Sequence, residues 1–553
     1  HSQMEESIAI MSRDAGKTVA EADPEISEAI DFANYYALSA ITLNLEKESS
    51  PVGVVVVVPP WNFPYAIPTG GICAALAAGN TVIFKSAPET VATSWHLVNQ
   101  LWKAGVPKNV LQFVSTEDNE VGQALISHED VNAVILTGGY NTALLFSSWR
   151  NELNLLAETS GKNAMVLTAC CDIDVAVKDL VQSAFGHAGQ KCSAASLAII
   201  DKSIYENPAF KKQLLDAVQS LTVGAGYNLG TTVGPIIKKT ESSLQRALTT
   251  LDKGEEWLLK PSQLDEAGLI WSPGIKSGVQ PGSWSHLNEW FGPVLAIMVA
   301  PDLKTAIEWQ NATDFGLTAG IQSLDPNECE YWIENVEAGN LYVNRGVTGA
   351  IVNRQPFGGW RKSSVGATAK AGGQNYVATL RNWNQMKHFL PMKEAANKWI
   401  KSTGCLAIDR SSLEVEQNIQ RYRRYKKGFL VRIESGTSND ELDFLAWIKK
   451  DLGVITRLSS DTLISGLANL VVESTEEFAS HALEFDRVRW LSAEIPPVYE
   501  LMLNGISCDR RPITSRGDIE ISRWFLEQSV SITQHRYGNT NAGPKPNCAG
   551  LKF

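Results

Sequence analysis

The sequence predicts an α/β protein built on parallel sheets with helices on both faces. Strand-like and helix-like stretches alternate from residue 52 onward at the pitch of β-α-β units. Gly and Pro punctuate them at the expected ends. The 553 residues, 44% hydrophobic and 20% charged, describe an ordinary folded chain, too long for one core and divided into about three to four units.

The totals also exclude. A net charge of -11 argues against a nucleic-acid surface. Eight cysteines in so long a chain, two of them adjacent at Cys170–Cys171, are not a disulfide framework, and none has zinc spacing. No metal is expected, and a reducing, cytoplasmic compartment fits best. The apolar run Val52–Val58 is too short for a membrane span and no signal-peptide pattern precedes it.

Met4 to about Leu45 reads as helical, with Ala, Glu, Ile and Met at helical spacing and no cap before it. The abrupt start suggests that the amino-terminal part of a larger protein is missing. Val52–Val58 is a β-branched buried strand, followed by the turn Trp61–Asn62–Phe63–Pro64. Ile67–Ala78 is a small-residue helix stopped by Gly79–Asn80, and Thr81–Lys85 is the next strand. Thr93–Ala104 and Asn119–Ser127 are helices, and Val110–Ser115 and Val131–Leu136 are strands. The alternation continues from Asn154 to about Val352. Lys387 to about Arg424 is basic and predicted helical, a connector. Beyond it Phe429–Ile433, Leu442–Leu452, Val454–Leu458, Leu467–Val472 and Val488–Leu491 form a smaller Rossmann-like alternation without a Gly-rich phosphate loop. Residues 539–553 are expected to be disordered.

Ligands in open parallel sheets bind outside the carboxyl ends of the strands. Asn62, Lys85 and Gly138 all sit there. The Asn62 amide can donate to a developing oxyanion, although alone it is more readily a turn asparagine. Lys85 can hold ribose hydroxyls or a phosphate, although alone it reads as a solvated lysine. Thr137–Gly138–Gly139 opens a helix whose N-terminus suits a pyrophosphate, yet no G-x-G-x-x-G occurs. Glu158 follows three apolar residues, and a carboxylate buried there becomes a general base near neutral pH, or else a strand-end ion-pair partner. Glu289–Trp290–Phe291–Gly292–Pro293 sets a carboxylate and a ring beside a turn. It is either a ribose holder or a plain surface turn. Cys192 lies in Phe185–Gly186–His187–Ala188–Gly189–Gln190–Lys191–Cys192–Ser193. Gly186 and Gly189 would let the backbone approach a ligand, and Lys191 would lower the thiol pKa. Alone, Cys192 is more readily a buried small hydrophobe.

The order of these groups is more specific than any one of them. Pro59–Pro60–Trp61–Asn62–Phe63–Pro64, Glu158–Thr159–Ser160–Gly161–Lys162–Asn163, Gly189–Gln190–Lys191–Cys192 and Pro356–Phe357–Gly358–Gly359 together resemble the aldehyde dehydrogenase superfamily over about residues 5–385. Ser183–Ala194 and the run from Tyr342 to Trp360 resemble the branch that oxidises L-glutamate γ-semialdehyde to L-glutamate with NAD. Glu527–Gly538 resembles the carboxyl end of long bacterial proline-catabolic proteins in which a proline dehydrogenase precedes this module.

The resemblance implies a domain plan: NAD binding over 1–157, catalysis over 158–352, a return and oligomerisation segment over 353–395, and an added Rossmann-like domain over 396–538. It implies Cys192 as nucleophile, Asn62 as oxyanion donor and Glu158 as base. Trp61, Lys85, Glu89, Gly138, Gly139, Glu289 and Phe291 would hold NAD. Lys191, Ser193, Gly349 and Ala350 would anchor the substrate's α-carboxylate, and Phe63 and Phe357 would flank its aliphatic stem. A fused or associated proline dehydrogenase and a homo-oligomer are the implied partners. Gly139 stands where many relatives have serine, and Val347 where threonine is expected. Two alternatives remain open: another carboxylate-bearing aldehyde as substrate, or a non-catalytic scaffold.

Overall fold

The computed structural model describes all residues except 1, 44, 46, 47, 241, 465, 466, 468, 469, 541–545 and 553. Three parallel or mostly parallel sheets organise them.

The first has six strands. Val54–Val58 lies between Thr81–Lys85 and Ala133–Thr137, with Leu111–Val114 and Leu155–Glu158 outside them. These five are parallel, and Ser364–Gly366 closes one edge antiparallel to Leu155–Glu158. β-branched residues fill the central strand because it is covered on both faces. Chain direction across this sheet reverses between Val54–Val58 and Ala133–Thr137, so their carboxyl ends open the crevice where such folds bind ligands.

The second sheet has ten strands, from Ile408–Asp409 at one edge to Glu256–Leu259 at the other. Its buried centre runs through Asn163–Leu167, Ala195–Asp201 and Val294–Ala300. The third is a five-stranded parallel sheet over Phe429–Asp509, with Phe429–Arg432 in the middle.

Four expectations need correction. The amino-terminal helical stretch is two helices, Met4–Asp14 and Val19–Leu43, broken at Gly16, which adopts φ +67°. The break seats Lys17 in the interior, where its amine meets Glu25 at 2.7 Å and donates to the Asn62 carbonyl at 2.8 Å.

The connector is helical only through Phe389–Trp399 and the turn Ile400–Gly404. Glu416–Arg423 is a strand of the ten-stranded sheet, antiparallel to Leu526–Thr533. Both its faces are buried, one at Asn418 and Tyr422 and the other at Ile419 and Arg421, and the polar pair is satisfied by hydrogen bonds, so no hydrophobic alternation marks it.

Leu526–Thr533 in turn pairs parallel with Asn340–Val343, so residues 396–538 are not one separate unit. Of the expected disordered tail, 541–545 lie outside the described residues. Cys548 and Leu551 are buried, and the Leu551 amide donates to Gly404 O at 2.9 Å.

Candidate functional site

A cavity of about 290 Å³ opens at the reversal point of the first sheet and runs to the second. Thirteen of the sixteen sequence-predicted site residues line it: Asn62, Glu158, Cys192, Trp61, Gly138, Gly139, Glu289, Phe291, Phe63, Ser193, Gly349, Ala350 and Phe357. Lys85, Glu89 and Lys191 do not.

Cys192 lies in the turn between helix Ile173–Phe185 and strand Ala195–Asp201. The turn is strained: His187 and Ala188, both buried, hold φ of 54° and 51°. Gly189 is needed for a reason other than ligand access. A Cβ there would stand 2.3 Å from Gly292 O, so the Cys192 turn can dock on the Glu289–Gly292 turn only through glycine. Gly186 has no such constraint, with φ -56°.

Asn62 is buried, and its amide donates to Gln190 O at 3.0 Å by one of its two hydrogens. The Asn62 side chain is thereby tied to the residue two before Cys192. Glu158 ends its strand with Oε2 accepting Gly359 N–H at 3.1 Å. Burial pushes this carboxyl up to about 8, against the Gly359 N–H and the nearby Lys370 amine.

The thiol behaves opposite to expectation. Burial, then Glu289 and Glu158, push Cys192 up to about 12. Lys191 does not outweigh this, although its charge interacts with Cys192. Its own pKa is lowered by burial, and Glu21 is the first charge that opposes this. A cation one residue away in sequence is turned toward Glu21 and the Gly186 backbone rather than into the cavity.

Glu289 Oε1 accepts Gly161 N–H at 3.0 Å. Trp61 and Phe291 meet edge to face at 5.6 Å between ring centres. Gly139 caps helix Tyr140–Trp149 without a side chain, and Ser160 Oγ instead accepts the Tyr140 N–H at 3.2 Å. A hydroxyl thus stands at that helix N-terminus although Gly139 has none. Lys85 ends its strand and Glu89 lies in the turn Pro88–Thr90, both outside the cavity lining and paired with Asp118 at 2.9 Å and Lys238 at 3.0 Å. Gly349 adopts φ +82°, and a Cβ there would meet nothing within 4 Å. The carboxylate, the glycine pair at a helix start, the ring pair and the volume fit a nicotinamide nucleotide beside a small aldehyde.

Of the lining residues that escaped the sequence reading, one is a carboxylate. Glu28, on helix Val19–Leu43, faces the same cavity as Ser193 and Gly349, and burial, then Glu25, push it up to about 8. Its helical neighbourhood looks like any amphipathic face, so no local signal marks it.

Residues 1–388 match the aldehyde dehydrogenase family, and this chain belongs to it. A 1-pyrroline-5-carboxylate dehydrogenase of Staphylococcus epidermidis is 36% identical over 397 residues, which is 68% of this chain and 76% of that protein. Proline utilization A of Corynebacterium freiburgense is 43% identical, with a TM-score of 0.87 over 97% of this chain. This chain spans 56% of that protein's length. A Thermus 1-pyrroline-5-carboxylate dehydrogenase solved with bound NAD is 31% identical, with a TM-score of 0.62, over 69% of this chain and 79% of that one. Among the described residues, no helix is long and apolar enough to cross a membrane.

Proposed function

We propose that this chain oxidises L-glutamate γ-semialdehyde, the open form of 1-pyrroline-5-carboxylate, to L-glutamate with NAD. The observation that carries this reading is the convergence of Cys192, Asn62 and Glu158 on one cavity with Ser193, Gly349 and Ala350. Membership of the aldehyde dehydrogenase family and the names of the relatives support it.

The Cys192 sulfur attacks the aldehyde carbon, giving a thiohemiacetal. Its oxyanion is received by the free hydrogen of the Asn62 amide and by backbone N–H. When bound, NAD would supply a cationic ring as acceptor for the hydride of the substrate carbon. Glu158, with its pKa near 8, then draws a proton from water as the water oxygen bonds to the thioester carbon. The C–S bond breaks and the sulfur leaves as thiolate. Phe63 and Phe357 flank the aliphatic stem. Ser193, Gly349 and Ala350 receive the α-carboxylate, and Glu28 faces the α-ammonium. Trp61, Phe291, Gly138, Gly139 and Glu289 would hold the nucleotide, and Lys85 and Glu89, outside the cavity lining, would bind it only on release from Asp118 and Lys238.

A proline dehydrogenase, in the same polypeptide or as a partner, supplies the substrate, as the proline utilization A neighbours suggest. The working form is a cytoplasmic homo-oligomer. The test is NADH formation from L-glutamate γ-semialdehyde and from succinate semialdehyde, for wild type and Cys192→Ala. Turnover of the first, little of the second and none in the variant is expected. No turnover of either by wild type refutes the enzyme reading, equal turnover refutes the substrate, and an active Cys192→Ala refutes the nucleophile.

A further inference from the structure

Two cavities meet at one side chain. Glu158 lines the cavity described above and also a second one, of about 120 Å³, on the far side of its strand. Lys370 and Gly359 wall the second cavity on the side of the first sheet, and Arg487, Ser507 and Glu527 wall it on the carboxyl-terminal side. The volume holds several waters, and the charged and hydroxyl groups around it give them partners. Arg361, on the same wall, is exposed, so the cavity reaches the surface.

We propose that this second cavity brings the hydrolytic water to the thioester and carries away the proton that Glu158 takes from it, past Lys370 and Glu527. The inference rests on the function proposed above. Each turnover consumes one water. As the water oxygen bonds to the thioester carbon and the C–S bond breaks, one proton moves to Glu158 and must reach solvent before Glu158 can act again. On the front side the aldehyde stem and the nucleotide fill the approach. The rear cavity stays open because no substrate group occupies it.

The geometry runs in line. Glu158 and Lys370 flank Gly358: a Cβ built there would stand 2.9 Å from Glu158 Oε1 and 3.2 Å from Lys370 Cγ. A larger residue at this position would wall one from the other. The Lys370 amine donates to Gly358 O and Asn340 Oδ1, both at 2.6 Å. The Lys370 backbone N–H donates to Glu527 Oε2 at 3.0 Å. Glu527 is also held by Asn375 and by Tyr422, the latter at 3.4 Å. Burial lowers Lys370 to about 7, opposed by Glu158 and Glu527. Glu158 and Lys370 thus interact through their charges across Gly358. Glu527 arrives on a strand more than 350 residues after Glu158, so the carboxyl-terminal region contributes to the reaction through this strand.

The test uses the full chain with Glu527→Gln, an isosteric change that removes the proton-accepting oxygen, and Lys370→Met as a second variant. Rapid mixing with saturating NAD and L-glutamate γ-semialdehyde reads the first turnover and the steady state. The expected result is a stoichiometric NADH burst at the wild-type rate, then a steady state slowed about 10²-fold, the lower end of what positioned proton transfer contributes. The solvent deuterium isotope effect on the slow phase should rise, and imidazole should restore part of the rate. Unchanged steady states and isotope effects in both variants overturn the proposal. So does an equal fall of burst and steady state, which marks a merely structural role. Absence of turnover by wild type overturns the underlying function instead.

Discussion

Removing the Glu28 carboxylate should cost activity toward the amino substrate only, and more so as pH rises. The α-ammonium is what separates L-glutamate γ-semialdehyde from glutarate semialdehyde, its counterpart without the amino group. Glu28 is the half-buried carboxyl that faces the same cavity as Ser193, Gly349 and Ala350. Burial and Glu25 hold its pKa at about 8. At pH 7 about nine-tenths of it is protonated, and ionising it against the ammonium costs about 1.4 kcal/mol. A hydrogen bond between charged partners returns about 1.5–3 kcal/mol. The net gain at pH 7 is therefore about 0–1.6 kcal/mol. The sign follows from the raised pKa: the ionised form grows as pH climbs through 8, and the ionisation cost then vanishes. Glu28→Gln should lower kcat/KM for the amino substrate by at most about 15-fold at pH 7 and by about 10- to 150-fold above pH 8. Glu158 also titrates near 8, but it serves both substrates, so the ratio of their kcat/KM values cancels it. Equal losses for both aldehydes, or a loss for the amino substrate that does not grow with pH, would refute the assignment.

Two further outcomes can be checked directly. Asn62→Ala should lower single-turnover hydride transfer by about 10²–10³-fold, and it should cost about 1–3 kcal/mol of stability in calorimetry, because buried Gln190 O loses its donor while the Lys17 bond to the Asn62 backbone carbonyl is kept. Asp509→Asn should destabilise the carboxyl-terminal sheet by about 3–5 kcal/mol in calorimetry, since Arg489, almost wholly buried, loses its 2.6 Å partner and keeps only Glu520. Burial alone would raise the Asp509 pKa, but Arg489, Arg511 and Arg523 hold it well below the carboxylate range. Its stabilisation is thus present above the unfolded pKa, near 4, and is lost in wild type, but not in the variant, as pH falls below that.

How legible each group was depends on what places it. The β-branched run before Pro59 and the small-residue helix after it declare a parallel sheet, because burial on both faces leaves a composition signal. Asn62, Gly138 and Glu158 were legible because each ends or closely follows a strand, and strand ends on one edge converge whatever the details. Lys191 interacts with Cys192 yet does not line the cavity, because adjacency in sequence says nothing of direction inside a strained turn, where two non-glycine residues at positive φ swing the chain. Glu28, Lys370 and Glu527 were not legible at all. Each belongs to an element whose local pattern is ordinary, and each gains its meaning from a neighbour far along the chain.

The carboxyl-terminal sheet shows why topology alone was a poor guide to chemistry. Its strands follow the same winding order as those of the first sheet, reversing between Phe429–Arg432 and Arg487–Trp490. At the first sheet's reversal a glycine pair opens a helix and leaves a cavity. At the second, Arg432 reaches Glu494 at 3.3 Å and Glu434 accepts the Ala493 N–H at 2.9 Å, which ties the two strand ends together across the crevice. The same frame that opens a cavity in one place is laced shut in the other. What this region does offer the site comes from Leu526–Thr533, which leaves it to pair with Asn340–Val343 and sets Glu527 behind Glu158. Its part in the chemistry follows from strand pairing across the boundary, and a reading of 396–538 as one self-contained domain conceals that pairing.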